Sequence, residues 1–99
     1  MGEGRVLPVY RDRRTRRFAQ GEFIKAFSSI ERQADRKLRM LAEAANLNDL
    51  AAVPGNRLEA LHGDREGQYS VRINDQWRIC FEWVDDQTGA ASIEITDYH

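Results

Sequence analysis

The spacing of hydrophobic residues along this chain changes near residue 56. Before it, apolar positions recur every three or four residues. After it they alternate. Ile30, Ala34, Leu38, Leu41 and Ala45 form one stripe with the helical period, which predicts a helix over residues 28–45. Ser28-Ser29-Ile30-Glu31 in front of the stripe has the pattern of a capping box, and Asn46 is the expected stop. Residues 47–50 can add one more turn. Residues 11–20 hold five arginines and a single large apolar residue, Phe18, so they predict a short helix with a thin stripe, ended by Gly21. Phe23, Ile24 and Phe27 are anchors for a loop or a helical turn. The apolar run 6–10 contains Pro8, which has no amide donor, and reads as an edge strand or an extended lead-in.

Pro54-Gly55-Asn56 is a turn signal that closes the helical half. A short strand follows over 57–61, with Leu58 and Ala60 inward and Glu59 and Leu61 outward. A polar loop spans 62–67. Tyr69, Val71 and Ile73 alternate on the next strand. Asn74-Asp75 is a hairpin turn. Trp77, Ile79, Phe81 and Trp83 form the cleanest alternation in the chain. A turn over 85–89 leads to a last strand with Ala91, Ile93 and Ile95 inward. The expected architecture is α+β: helices in one layer on one face of an antiparallel meander.

Period-two geometry then assigns the other sheet face. It carries Ser70 and Arg72, then Arg78, Cys80 and Glu82, then Glu94, Thr96 and Tyr98. Arg78 sits mid-strand. It suits either an ion pair with Glu59 or Glu82, or an anion site, because a guanidinium binds phosphate bidentately. Cys80 reads as a small packing residue, since no base is aimed at it in the sequence. Asp97, Tyr98 and His99 bring an acid, a phenol and an imidazole to the end of an apolar strand. That is either a strand fading into solvent or a functional tail. His62 and His99 lie near acids but lack the spacing of a metal-binding motif.

Composition narrows the class. Ninety-nine residues predict one domain over 1–99. With 41% hydrophobic and 31% charged residues, the chain is neither disordered nor fibrous. No apolar run has the length of a membrane span, and the first residues lead into no signal-like apolar region. A single cysteine excludes an internal disulfide framework, and a reducing cytoplasm is the expected setting. The net charge of −1 conceals an asymmetry. Residues 1–40 carry 11 basic and 5 acidic side chains, a net of +6. Residues 41–99 carry 4 and 11, a net of −7. Such a split marks either a polyanion-facing half or solvated helix faces.

The stretch from Asn56-Arg57-Leu58-Glu59-Ala60-Leu61-His62-Gly63-Asp64-Arg65 to Ile73-Asn74-Asp75-Gln76-Trp77-Arg78-Ile79, with the closing Asp97-Tyr98-His99, resembles the HigB toxins of the RelE/ParE superfamily. The resemblance is strong over 54–99 and weak over 1–27. It implies a RelE/ParE-like fold, with two to three N-terminal helices on one face of a curved, mainly antiparallel sheet of about four to five strands. It also implies a ribosome-dependent mRNA endonuclease that needs no cofactor or metal. The implied partners are a HigA-type helix-turn-helix antitoxin and the 70S ribosome with bound mRNA. The complex with the antitoxin would bind operator DNA through the antitoxin, and no membrane is involved. The catalytic residues carried over are Glu59, Arg78, Asp97, Tyr98 and His99. His62, Arg65 and Arg72 would contact RNA. Some members read L-H-P-L-K-G-D-R where this chain has Glu59 for the histidine and His62 for the lysine, which opens the identity of the base. Cleavage by 2′-OH attack needs a base, a group that stabilises the phosphorane and an acid. Glu59 or His99 is the candidate base and Arg78 the phosphorane stabiliser. His99, His62 or Tyr98 is the candidate acid, and Tyr98 could instead stack on a base. The alternative activity is non-catalytic inhibition of DNA gyrase, which other branches of the superfamily carry out with the same fold.

Overall fold

The computed structural model describes residues 10–97, so Tyr98, His99 and most of the 6–10 run lie outside the described residues. Three helices come first: α1 (Arg13–Ala19), α2 (Glu31–Glu43) and α3 (Leu47–Ala52). Four strands follow: β1 (Glu59–Ala60), β2 (Gln68–Arg72), β3 (Trp77–Trp83) and β4 (Ala90–Asp97). They form one antiparallel sheet in the order β1-β2-β3-β4. The α+β meander predicted from the hydrophobic periods is therefore present. None of the helices among the described residues is long and apolar enough to cross a membrane.

The helices bury their stripes on one sheet face. Phe18, Ala34, Leu41 and Leu50 meet Val71, Ile79, Phe81, Ile93 and Ile95 in one cluster. Aromatic edges link the layers. Phe18 meets Phe27 at 5.4 Å, and Phe27 meets Trp77 at 5.5 Å, both close to perpendicular. Such geometry adds about 0.5–1.5 kcal/mol per pair beyond area burial. The Arg14 guanidinium lies 5.0 Å over the Phe27 ring, so one arginine of the basic helix is committed to packing.

The main helix differs from its expected bounds at both ends. It starts at Glu31, and the capping box at Ser28 does not form. Phe27 and Ile30 are both sunk into the core, and Ser28 instead closes a 3-10 turn over Lys25–Phe27. Ile30 donates its amide to the Phe27 carbonyl at 3.0 Å, so core anchoring sets the start of the helix. At the other end α2 stops at Glu43, leaving Ala45 exposed. Asn46 is the N-cap of α3 as well as a break. Its Oδ1 accepts from the Asp49 amide at 3.0 Å, while Asp49 accepts from the Ala45 amide at 3.0 Å. Gly21, at φ 97°, terminates α1 as expected.

Two strand expectations are also corrected. The first strand shrinks from 57–61 to Glu59–Ala60, and Ala60 is exposed while Leu58 packs on the core. On β4 the buried residue is Ala90 rather than Ala91. The register slips between Cys80 and Glu82, with Ser92 at φ 51°. A bulge places two residues of β4 opposite one of β3 and reverses the alternation beyond it.

The outer edge of β4 meets Tyr10, Arg11 and the first turn of α1. Tyr10 bridges Ile93 in parallel, and the Arg11 amide donates to the Ile93 carbonyl at 2.8 Å. The buried Thr15 hydroxyl on α1 accepts from the Ile95 amide at 3.0 Å. The expected edge segment at 6–10 is thus seen only through Tyr10. Its contacts occupy backbone groups that would otherwise form an open edge.

Candidate active site

The face of the sheet away from the helices carries two cross-strand rows. One runs Arg72, Arg78, Thr96, and the other Glu59, Ser70, Cys80, Glu94. Period-two reading placed these residues together, and the register confirms that they share a face. Their burial was not visible in that reading. Ser70 is fully buried, and Cys80 and Arg78 are nearly so.

Arg78 reaches across β2 to Glu59. Its Nη1 and Nη2 both lie 3.1 Å from Glu59 Oε1. The arginine side chain is 9% exposed and the carboxylate 55%, so the pair is anchored at the guanidinium and open at the acid. A guanidinium this buried requires a charged partner, and among the described residues Glu59, of the two acids expected, pairs with it. On the adjoining row, Arg65 Nη1 lies 3.0 Å from Glu94 Oε1 and also donates to Gln68 Oε1 at 3.0 Å. Arg11 Nε approaches the same Glu94 oxygen at 3.6 Å. The contact with Glu94 raises the guanidinium's pKa further, so Arg65 is a permanent cation here. Arg72 pairs with Asp75 at the hairpin turn.

Cys80 lies between these arginines. Burial pushes its thiol pKa up, against the opposing pull of Arg65 and the weaker influence of Arg78 and Arg11. It therefore stays a protonated packing group at neutral pH, as its mid-strand position suggested.

Glu59 stands at the boundary of two hollows, and Arg78 lines the first of them. One, of about 450 Å³, is bounded by Arg57, Leu58, Arg72, Asn74 and Asp75 together with the pair. The second, of about 460 Å³, is bounded by Glu59, Leu61, His62, Arg65, Cys80, Thr96 and Asp97. His62 is exposed on the second rim. Asp97 accepts from Gln76 Nε2 at 3.1 Å, which ties the end of β4 to the hairpin turn. The structure thus brings Glu59, His62, Arg65, Arg78 and Asp97 around connected surfaces, with Arg72 on the far side of the pair. Tyr98 and His99, the two remaining expected site residues, lie outside the described residues. Among the described residues, no three His, Cys, Asp or Glu side chains cluster as a metal-binding group.

Sequence reading missed Arg57 and Arg11. Arg57 falls between the turn signal and the first strand, where no period assigns a direction. Arg11 belonged to a run of arginines with nothing to distinguish it. Chemically, the arrangement sets a half-exposed carboxylate beside a buried guanidinium, with an imidazole and a second fixed cation on the same rim. That set suits a phosphodiester, whose charge a guanidinium can hold while a carboxylate takes a nearby proton.

Known proteins bear on this site. A family model described as the RelE-like toxin of the type II toxin-antitoxin system HigB matches residues 9–99. A Vibrio cholerae protein named Toxin HigB-1 is 48% identical over 58 residues, covering 59% of this chain and 61% of that protein. A Haemophilus influenzae protein without an assigned function is 29% identical over 72 residues, covering 73% of this chain and 71% of its own length. A Proteus vulgaris protein named Endoribonuclease HigB is 37% identical over 43 residues, covering 43% of this chain and 45% of that protein. The match to the Vibrio cholerae toxin therefore spans less than two thirds of that toxin's length. The family model, by contrast, runs through both the helical layer and the sheet, and on that breadth the chain belongs to the RelE-like HigB toxins of type II toxin-antitoxin systems.

Proposed function

We propose that this chain is the toxin of a toxin-antitoxin pair and cleaves mRNA on the ribosome, in the cytoplasm, by attack of the RNA 2′-OH on the adjacent phosphorus. The Glu59–Arg78 pair, with Glu59 shared by the two hollows, is the observation that carries this reading. Arg78 neutralises the phosphorane, and Glu59 or His99 removes the 2′-OH proton. His99, His62 or Tyr98 returns a proton to the leaving 5′-oxygen. Asp97 orients the tail. His62, Arg65 and Arg72 contact the RNA. The name of the Proteus vulgaris relative supports the ribonuclease class.

The exposed arginines of α1 and α2, among them Arg13, Arg16, Arg32 and Arg36, face ribosomal RNA. Ribosome binding therefore weakens steeply with salt, and a flat response would remove that electrostatic role. A helix-turn-helix antitoxin of the HigA type neutralises the toxin, and their complex binds operator DNA through the antitoxin. The decisive assay supplies mRNA on purified ribosomes and maps the cut ends. Wild-type protein yields cyclic or 3′-phosphate ends, and Arg78→Ala and Glu59→Gln reduce the yield. Products with 3′-hydroxyl ends would exclude 2′-OH attack. Intact mRNA together with inhibited gyrase supercoiling would place the chain with the gyrase-inhibiting branch.

A further inference from the structure

Arg72 and Arg78 are direct cross-strand partners on the polar face. Like charges at such a position oppose strand pairing. Arg57 lines the same hollow. Lys37 belongs to the same positive field: burial, then the charges of Arg36 and Arg72, pull its pKa below the ordinary lysine value. Among the described residues, Glu59 pairs with Arg78 and Asp75 with Arg72. Asp75 is 99% exposed, where water screens its attraction strongly. Arg57 has no ion-pair partner among the described residues.

The backbone at Arg57 is a second, independent sign. It holds φ 47°, a left-handed conformation that arginine rarely adopts. The residue before it is pinned. Asn56 is fully buried, donates from Nδ2 to the Leu50 carbonyl at 2.8 Å, and accepts from the Arg72 amide at 2.7 Å. The chain leaves this anchor through the strained residue, and Arg57 comes to line the hollow. Strain of this kind persists where its surroundings over-determine it, and it concentrates at ligand sites.

We propose that the hollow on the Arg57 side of the Glu59–Arg78 pair is a subsite for a second phosphate, that of the nucleotide next to the scissile bond in single-stranded RNA. The RNA as substrate class rests on the cleavage reading above. Arg57 and Arg72 hold the non-bridging oxygens, and the bound anion offsets the repulsion between Arg72 and Arg78. The scissile phosphate remains at Arg78.

The test measures binding of a 2′-O-methyl RNA pentamer, which has no free nucleophile and stays intact. The same pentamer is made with a neutral methylphosphonate at each linkage in turn. Arg57→Gly is expected to leave the melting temperature unchanged or raised, because glycine adopts this backbone freely. It should weaken binding roughly three- to fivefold, as expected for an exposed charge pair. The log–log salt slope should fall by about 0.7, the loss of one phosphate contact on a single strand. A methylphosphonate at one linkage should erase the difference between wild type and Arg57→Gly, and Arg57→Lys should keep most of the affinity. Equal affinity of Arg57→Gly and wild type would overturn the subsite. So would a loss that no methylphosphonate position absorbs, or a wild type that does not bind the pentamer. Failure of the cleavage reading is seen separately: a wild type with this binding pattern that leaves ribosome-bound mRNA intact keeps the subsite and removes the nuclease.

Discussion

On one face of β3, Trp77, Ile79 and Phe81 meet the helices; on the other, Arg78 and Cys80 meet an ion pair and a loop, yet all five are buried. The two kinds of burial do different things. Each large apolar side chain on the core face contributes about 1.5–3 kcal/mol by leaving water. Arg78 gains nothing comparable, because its guanidinium loses hydration that the Glu59 carboxylate must replace. The core face therefore holds the fold, while the polar face holds a charge in a state of reduced hydration. A charge so placed interacts strongly with a phosphate that displaces or joins its partner.

The sharpest way to break this contrast is to truncate one side at a time. Phe81→Ala should cost about 3–5 kcal/mol of stability in denaturant unfolding. A loss below about 1 kcal/mol would mean that the core face is not what holds the sheet. Arg78→Ala should lower mRNA cleavage by about 10²–10³-fold, the usual cost of removing a transition-state donor. Its unfolding midpoint should move far less than that of Phe81→Ala, because Glu59 is half-exposed and can hydrate once released. Equal losses of stability in the two variants would erase the distinction between the faces.

Smaller effects sharpen the comparison at the sheet's edges. Thr15→Val removes the acceptor for the buried Ile95 amide and should cost about 1–3 kcal/mol, with Thr15→Ser restoring most of it. Slower amide exchange at Ile95 in Thr15→Val would contradict this. The smallest effect is expected at Asp85, in the turn between β3 and β4. The Thr88 amide, and then the Gln87 amide, hold its carboxyl pKa below the ordinary carboxylate value. A depressed acid stabilises the fold above its unfolded pKa, and that contribution is lost as pH falls through the folded value. The stability gap between wild type and Asp85→Asn should therefore be full at neutral pH and close in acid. A pH-independent gap would show that the ionised carboxylate adds nothing.

Much of the site was legible because strand parity is local. Alternation on β2 and β3 put Arg72, Arg78 and Cys80 on one face, and the register bears this out. The choice between Glu59 and Glu82 as the partner of Arg78 was open, since parity assigns a face but not a neighbour two strands away. Arg57 was missed because a left-handed arginine after a buried asparagine leaves no periodic trace. The capping box at Ser28 failed for a related reason. A local hydrogen-bond pattern lost to the burial of Phe27 and Ile30, which only the packed sheet provides.

The sequence by itself determined the α+β order, the hairpin between β2 and β3, the apolar and polar faces of the sheet, and the family. Each follows from residue spacing and covalent geometry within a few neighbours, or from motifs read along the chain. Tertiary structure alone decided that Arg78 is buried against Glu59, that β4 carries a bulge, and that Tyr10 and Thr15 close its outer edge. These depend on which segments distant in sequence come to share an edge or exclude the same water. The near-zero net charge, with +6 in residues 1–40 and −7 in residues 41–99, shows the same limit. Counting separates a basic half from an acidic one. Only the folded sheet shows that acids of the second half, Glu59, Asp75, Glu94 and Asp97, stand beside the proposed site, and that Glu59, Asp75 and Glu94 pair with its arginines.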